Sequence, residues 1–274
     1  MSCIDSAKIK YRKKMREMLE VKHLTYQVME NGAERKLVDD VSFSVKDGEM
    51  LVITGPNGGG KSTIAKLLMG IEKAGEGEIL LDGQDLSHMN VDERANAGIG
   101  YAFQQPPSFK GMTVERLLNL AAGKPLSEAV CCELLSSVGM CAREYLKREA
   151  DATLSGGERK RIEIATVLAK SHKICIFDEP EAGIDLWSFS MLVDQFERIH
   201  EKKQESLLLI SHQERIIRMA DRILVVDDGR IQDEGSKEEM LPKLFPEDCG
   251  RACRSENGKK EDGSCECEAG CGSR

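Results

Sequence analysis

The sequence predicts an α/β protein with a mixed sheet core and a short inserted helical subdomain. Three observations carry that prediction. Apolar runs of strand length recur along the chain, several alternate with helix-period segments, and the run Met50–Thr54 leads straight into a glycine-rich stretch that opens a helix. At 274 residues and 30.4 kDa the chain is long enough to bury a sizeable core.

Residues 1–17 are polar and basic, with Lys8, Lys10, Arg12, Lys13, Lys14 and Arg16. No apolar h-region follows, so they are not a secretory signal. The extension reads either as a solvated tail or as residues ahead of a true start at Met18. Strand-like alternation runs from Met18 to Tyr26, and further apolar strands are expected over 41–45, Met50–Thr54, 79–81, 99–103, 174–177, 207–211 and 223–226. Between Gln105 and Ala150 the pattern turns helical, after a break at Pro106 and Pro107, with helices expected over Val114–Ala122, 126–138 and 142–148. After Leu244 the composition shifts to Gly, Glu, Lys, Ser and Cys, too poor in apolar side chains to offset chain entropy. The expected organisation is a basic extension over 1–17, one domain over 18–244 with its helical insert at about 105–150, and a disordered cysteine-rich tail over 245–274.

A net charge of −8 argues against a nucleic-acid partner. The longest apolar runs, such as 207–210, fall far short of the roughly 20 residues that a membrane span needs, and a cytoplasmic location is expected. The ten cysteines divide equally between body and tail, and in a cytoplasmic chain they are expected as thiols. Those of the tail, Cys249, Cys253, Cys265, Cys267 and Cys271, are soft ligands for zinc or an iron-sulfur cluster. They lack a tight paired spacing, so a flexible reduced tail is the preferred reading.

Gly55, Pro56, Asn57, Gly58, Gly59, Gly60, Lys61, Ser62 and Thr63 form a phosphate-binding loop pattern between a strand and a helix. Glycines allow the backbone amides to turn inward on phosphate at the positive end of the helix. Lys61 is placed to meet the β- and γ-phosphates of ATP, and Ser62 to hold Mg²⁺. A glycine-rich turn is the competing reading, and other motifs decide between the two. A second apolar strand ends in Asp178 and Glu179, a pair suited to holding Mg²⁺ through water and to polarising an attacking water. Between these elements, Leu154, Ser155, Gly156, Gly157 and Glu158 precede another helix, a second small-residue N-terminus suited to an anion.

The segment from Leu154 to Glu158 is the signature of the ABC-type ATPases, and residues 18 to about 240 resemble that superfamily with its motifs in order. The resemblance implies that Ser155, Gly156 and Gly157 reach the γ-phosphate held by a second copy, so that two half-sites combine across a dimer. It identifies Gln104 with the Q-loop, which links Mg²⁺ and the attacking water to partner contacts, and His212 with the switch histidine. It places Tyr26 where an aromatic ring stacks on adenine, and residues 181–185 in the loop facing the partner copy. It implies in-line attack of water on the γ-phosphate, with Lys61, Mg²⁺, Ser155 and His212 stabilising charge.

Four segments resemble SufC, the soluble ABC ATPase of Suf iron-sulfur cluster assembly, more than transporter subunits. They are Ala102 to Pro106, Glu158 to Ile164, Gly183 to Asp185, and His212 to Arg215. The resemblance implies a soluble scaffold partner similar to SufB or SufD; the alternative is a transmembrane permease. Only 50 residues lie between Gln104 and Ser155, a shorter insert than SufC carries. Pro106, Pro107, Phe109 and Met112 are candidate partner contacts in that insert, or else its internal packing.

Overall fold

The computed structural model describes residues 17–30 and 32–246. The basic extension up to residue 16, and the cysteine-rich tail from residue 247 with its metal and reduced-tail readings, lie outside the described residues.

Two sheets organise the chain. β1 (Glu17–Glu30) and β2 (Ala33–Lys46) form a long antiparallel hairpin, and β4 (Glu76–Leu81) with β5 (Gln84–Asp85) extends it into a four-stranded sheet of order β2-β1-β4-β5. The second sheet uses β3 (Met50–Thr54), β6 (Ile99–Ala102), β7 (Ile174–Asp178), β8 (Ser206–Ile210), β9 (Arg222–Asp227) and β10 (Arg230–Ser236). Its order is β10-β9-β3-β8-β7-β6, parallel except for β10, so the expected mixed sheet is present.

The parallel strands are covered on both faces, which is why their sequences are continuous apolar runs. Alternate residues divide between two cores. Met50, Val52, Cys175, Phe177, Leu207 and Leu209 face one side; Leu51, Ile53, Ile174, Ile176, Leu208 and Ile210 face the other. On the second side α1 (Lys61–Met69) buries Ile64 and Leu68 with the inward residues of the four-stranded sheet. On the first side lie α3 (Val114–Ala122), α4 (Glu128–Ser137), α6 (Gly156–Leu168), α7 (Leu186–Lys202) and α8 (Glu214–Met219).

The helical insert differs in detail from expectation. The expected helix over Val114–Ala122 is present, whereas that over 126–138 starts at Glu128, capped by Ser127. Its expected first residues are held extended by Leu126 N–H donating to Asn119 Oδ1 at 2.8 Å. The expected helix over 142–148 stops early, as α5 (Ala142–Tyr145), because the following residues turn back to pair with the segment before α3. Val114 N–H donates to Arg148 O at 2.9 Å and Ala150 N–H to Met112 O at 2.8 Å. The apolar periodicity also gave no expectation of β5, β10, α2 (Val91–Ala97), α7, α8 or α9 (Lys237–Leu244).

Arg94 of α2 ties the loop-bearing helix in place. Arg94 is 4% exposed, and its guanidinium donates to Leu67 O at 2.7 Å and Leu68 O at 2.9 Å in the last turn of α1. Arg94→Ala removes these charge-assisted bonds and is expected to cost about 2 to 3 kcal/mol, read as a lower urea midpoint at unchanged slope.

Candidate functional site

A polar cleft of about 510 Å³ opens at the C-terminal ends of the parallel strands, lined by Asn57, Gly58, Gly60, Lys61, Ser62, Thr63, Gln104, Glu179, His212, Arg35 and Leu37. The loop between β3 and α1 forms its floor. At Gly55, φ is +131° and a Cβ would sit 2.0 Å from Val226 O; at Gly60, φ is +102° and a Cβ would sit 2.5 Å from Leu37 O. Only glycine permits this approach of three backbones. Gly60 offers no side-chain cap to α1, and the first turn of α1 holds no acidic residue. The amides of that turn, with the helix dipole behind them, are therefore left for an external anion.

Lys61 is 4% exposed and donates to Gly55 O and Pro56 O, each at 2.7 Å. Burial lowers its pKa, while Glu179 and Asp178 act against that shift. Ser62 Oγ donates to Asp178 Oδ1 at 2.9 Å. Asp178 Oδ2 is buried with no hydrogen-bond partner, and burial raises the pKa of its carboxyl. An orphaned carboxylate oxygen beside a hydroxyl suits Mg²⁺, which takes one or two carboxylates and completes its shell with water and phosphate oxygens.

Glu179 sits at φ +45°, a strained conformation for a residue with a Cβ, held by its N–H donating to Ile210 O at 3.0 Å. Gln104 Nε2 donates to Glu179 Oε2 at 2.8 Å, so residues 75 positions apart meet over the loop. His212 faces them from the end of β8, its pKa lowered by burial and by Lys61. Glu181 orients that corner, accepting from Ser211 Oγ at 2.6 Å and from His212 N–H at 3.4 Å.

Ser155, Gly156 and Gly157 are not in this cleft. Ser155 caps α6 in a capping box, accepting from Glu158 N–H at 3.2 Å while Glu158 Oε2 accepts Ser155 N–H at 2.6 Å. A Cβ on Gly157 would sit 2.3 Å from Gly183 O, whereas one on Gly156 would meet nothing within 4 Å. That second glycine presents bare backbone outward.

Tyr26 is not among the residues lining the cleft. It packs against the core between the sheets, and its hydroxyl donates to Glu72 Oε2 at 2.7 Å, because β1 pairs it with Val38 and turns it to the core side. The sequence reading missed Arg35 and Leu37, which reach the cleft from β2 with no motif to mark them; only the antiparallel pairing of β1 and β2 brings them there.

Two charged residues lie buried behind the site. Lys160 donates to Phe103 O and, at 2.9 Å, to Asp178 O; its ammonium lies 3.7 Å from Glu163. Burial pushes the Glu163 carboxyl up to about 7, against the opposing pull of Lys160.

The family described as ABC transporter matches residues 38–182. An uncharacterized ABC transporter ATP-binding protein of Methanocaldococcus jannaschii is 36% identical over 225 residues, 79% of this chain and 89% of its own length. A sulfate/thiosulfate import ATP-binding protein of Shewanella oneidensis is 31% identical over 74% of this chain; the match spans 58% of that protein, a little over half. Among solved structures, a dimeric ATP-binding cassette in a post-hydrolysis state with ADP and phosphate superposes with a TM-score of 0.73 at 24% identity. It covers 80% of this chain and 99% of its own, a likeness of fold.

Glu163 makes stability depend on pH. Between its ordinary pKa of 4.5 and about 7 the unfolded chain releases a proton that the folded chain keeps, so stability falls as pH rises through that window. Glu163→Gln has no such proton and is expected to gain on the wild type between pH 5 and pH 8, measured as the difference in urea midpoints at the two values.

Proposed function

The chain belongs to the ABC transporter family of ATP-binding, ATP-hydrolysing domains, and from that premise we propose that it is the nucleotide-binding subunit energising a separate membrane permease. The observation that carries this reading is the extended similarity to transporter ATP-binding proteins. Such a subunit works at the cytoplasmic face of the bilayer.

In this reading Lys61 and the free amides at the start of α1 bind the β- and γ-phosphates. Ser62, Gln104 and, through water, Asp178 would hold Mg²⁺, which would neutralise the phosphate charge. Glu179 polarises the water that attacks the γ-phosphate in line, with Gln104 fixing its carboxylate. His212 stabilises the γ-phosphate. The signature residues Ser155, Gly156 and Gly157, lying outside the cleft, act on the nucleotide of a second copy, so the working unit is a dimer.

A SufC-like role with a soluble scaffold similar to SufB or SufD is the second reading, favoured by the four local segments noted above. The relatives found are transporter components and support the permease better. For either partner, the groove beside Gln104 is a suitable seat: about 220 Å³, lined by Phe103, Pro107, Phe109, Leu117 and Leu120. Pro107 is exposed there, while Phe109 and Met112 are half-buried against the helical core.

Glu179→Gln removes the base and keeps the shape of the side chain, so turnover is expected to fall by about 10² to 10³ while ATP still binds. With ATP and Mg²⁺ that variant is expected to sediment as a dimer of the 30.4 kDa chain, with altered fluorescence from Trp187, the sole tryptophan, 83% exposed beside the partner-facing loop. Affinity purification from detergent-solubilised native cells tests the partner: a polytopic membrane protein is expected, and recovery of a soluble scaffold with iron and sulfide would establish the second reading instead.

A further inference from the structure

α6 turns two charged side chains inward, where its other buried positions, Ile162, Ile164, Ala165 and Val167, are apolar. Lys160 is 0% exposed and Glu163 8% exposed. Burying such a pair is costly, and apolar residues of similar volume would serve packing as well or better. Nor is the pair fully satisfied, since Glu163 Oε2 is buried without a hydrogen bond. Packing alone therefore gives no reason for it.

The atoms that the pair touches supply one. Glu163 Oε1 accepts from Phe103 N–H at 2.8 Å, and Lys160 donates to the carbonyl of the same residue. The peptide units on either side of Phe103 are thus held by one carboxylate and one ammonium from a single helix. The next side chain is Gln104, 2.8 Å from Glu179 Oε2. Lys160 also donates to Asp178 O at 2.9 Å, the carbonyl that joins Asp178 to Glu179. A single buried pair therefore fixes the backbone at both ends of the Gln104 to Glu179 hydrogen bond. Phe103, 39% exposed, lines the apolar groove, so whatever leans on it acts on the same clamped peptide.

We propose that Glu163, together with Lys160, is a positioning residue that sets Gln104 against Glu179 by gripping the Phe103 peptide, and so controls the Mg²⁺-dependent part of nucleotide handling. The proposal rests on the ATPase reading of the site. Its reach is confined to Gln104 and Glu179, because the pair has no bond to Lys61 or to the amides of the phosphate loop.

The test uses the full chain and four variants: Gln104→Ala, Glu163→Gln, the charge-free pair Lys160→Met with Glu163→Leu, and that pair combined with Gln104→Ala. The charge-free pair removes both buried charges together, whereas Glu163→Gln leaves Lys160 with its carbonyl acceptors on Phe103 and Asp178. ATP affinity is measured in EDTA and again with Mg²⁺, and kcat alongside. The charge-free pair is expected to keep wild-type affinity in EDTA, to lose the enhancement by Mg²⁺, and to lose about tenfold in kcat. Glu163→Gln retains a carbonyl acceptor for Phe103 N–H and is expected within about twofold of wild type in both readouts. Adding Gln104→Ala to the charge-free pair is expected to cost nothing further, since both act through the same side chain.

Independent, multiplying losses in the combined variant would overturn the proposal, as would an equal fall in affinity in EDTA or a charge-free pair that behaves as wild type. Failure of the wild type to hydrolyse ATP would count against the ATPase reading separately, because the Mg²⁺ effect on binding still reports on the clamp.

Discussion

The structure depends on one close approach of backbones. The loop after β3 is pressed so tightly between Val226 and Leu37 that side chains cannot enter at Gly55 or Gly60. That contact joins three segments distant in sequence, and it turns the first amides of α1 into an uncapped, positively polarised surface. The neighbouring strands serve it. β7 and β8 deliver Asp178, Glu179 and His212 to the same rim because parallel strands end together, and β6 delivers Gln104 beside them. Ligand sites at the carboxyl ends of such sheets follow from that geometry.

The two ends of the chemistry are built differently. The phosphate floor is made of backbone and is rigid by exclusion. The water-handling side is made of side chains whose positions come from long-range hydrogen bonds: Gln104 to Glu179, Ser62 to Asp178, and Glu181 to the residues before and at His212. Buried charges on α6 brace that side from behind. The phosphate floor and the water-handling side thus rest on separate contacts, backbone packing for the first and long-range hydrogen bonds for the second.

The signature segment shows how one sequence pattern meets two demands. Ser155 and Glu158 complete a capping box, so within one chain the segment is a well-made helix start. Gly157 lets that helix abut Gly183, while Gly156 exposes bare backbone to whatever approaches. The first two features stabilise the monomer; the last has value only toward an external partner.

Much was legible in the sequence because it depends on local rules. Strict strand runs and the glycine-rich turn placed β3, β7, β8 and the phosphate loop, and paired carboxylates at a strand end marked Asp178 and Glu179. Gln104 and His212 were legible through motif order. The expected helices of the insert were read too long at 126–127 and 146–148, where hydrogen bonds to other parts of the chain compete with helix. The hydrogen bond from Tyr26 to Glu72 was not legible, because bulges in β1 set which way a side chain turns, and one register step reverses it. The places of Arg35 and Leu37 at the cleft and of Lys160 and Glu163 behind it were hidden, since each depends on pairing with residues far along the chain. The sequence determined the elements and the chemistry at their ends, because hydrophobic period and backbone freedom are properties of neighbours. Only the tertiary structure decided which side chains brace that chemistry, because those contacts join residues 57 to 75 positions apart through buried hydrogen bonds.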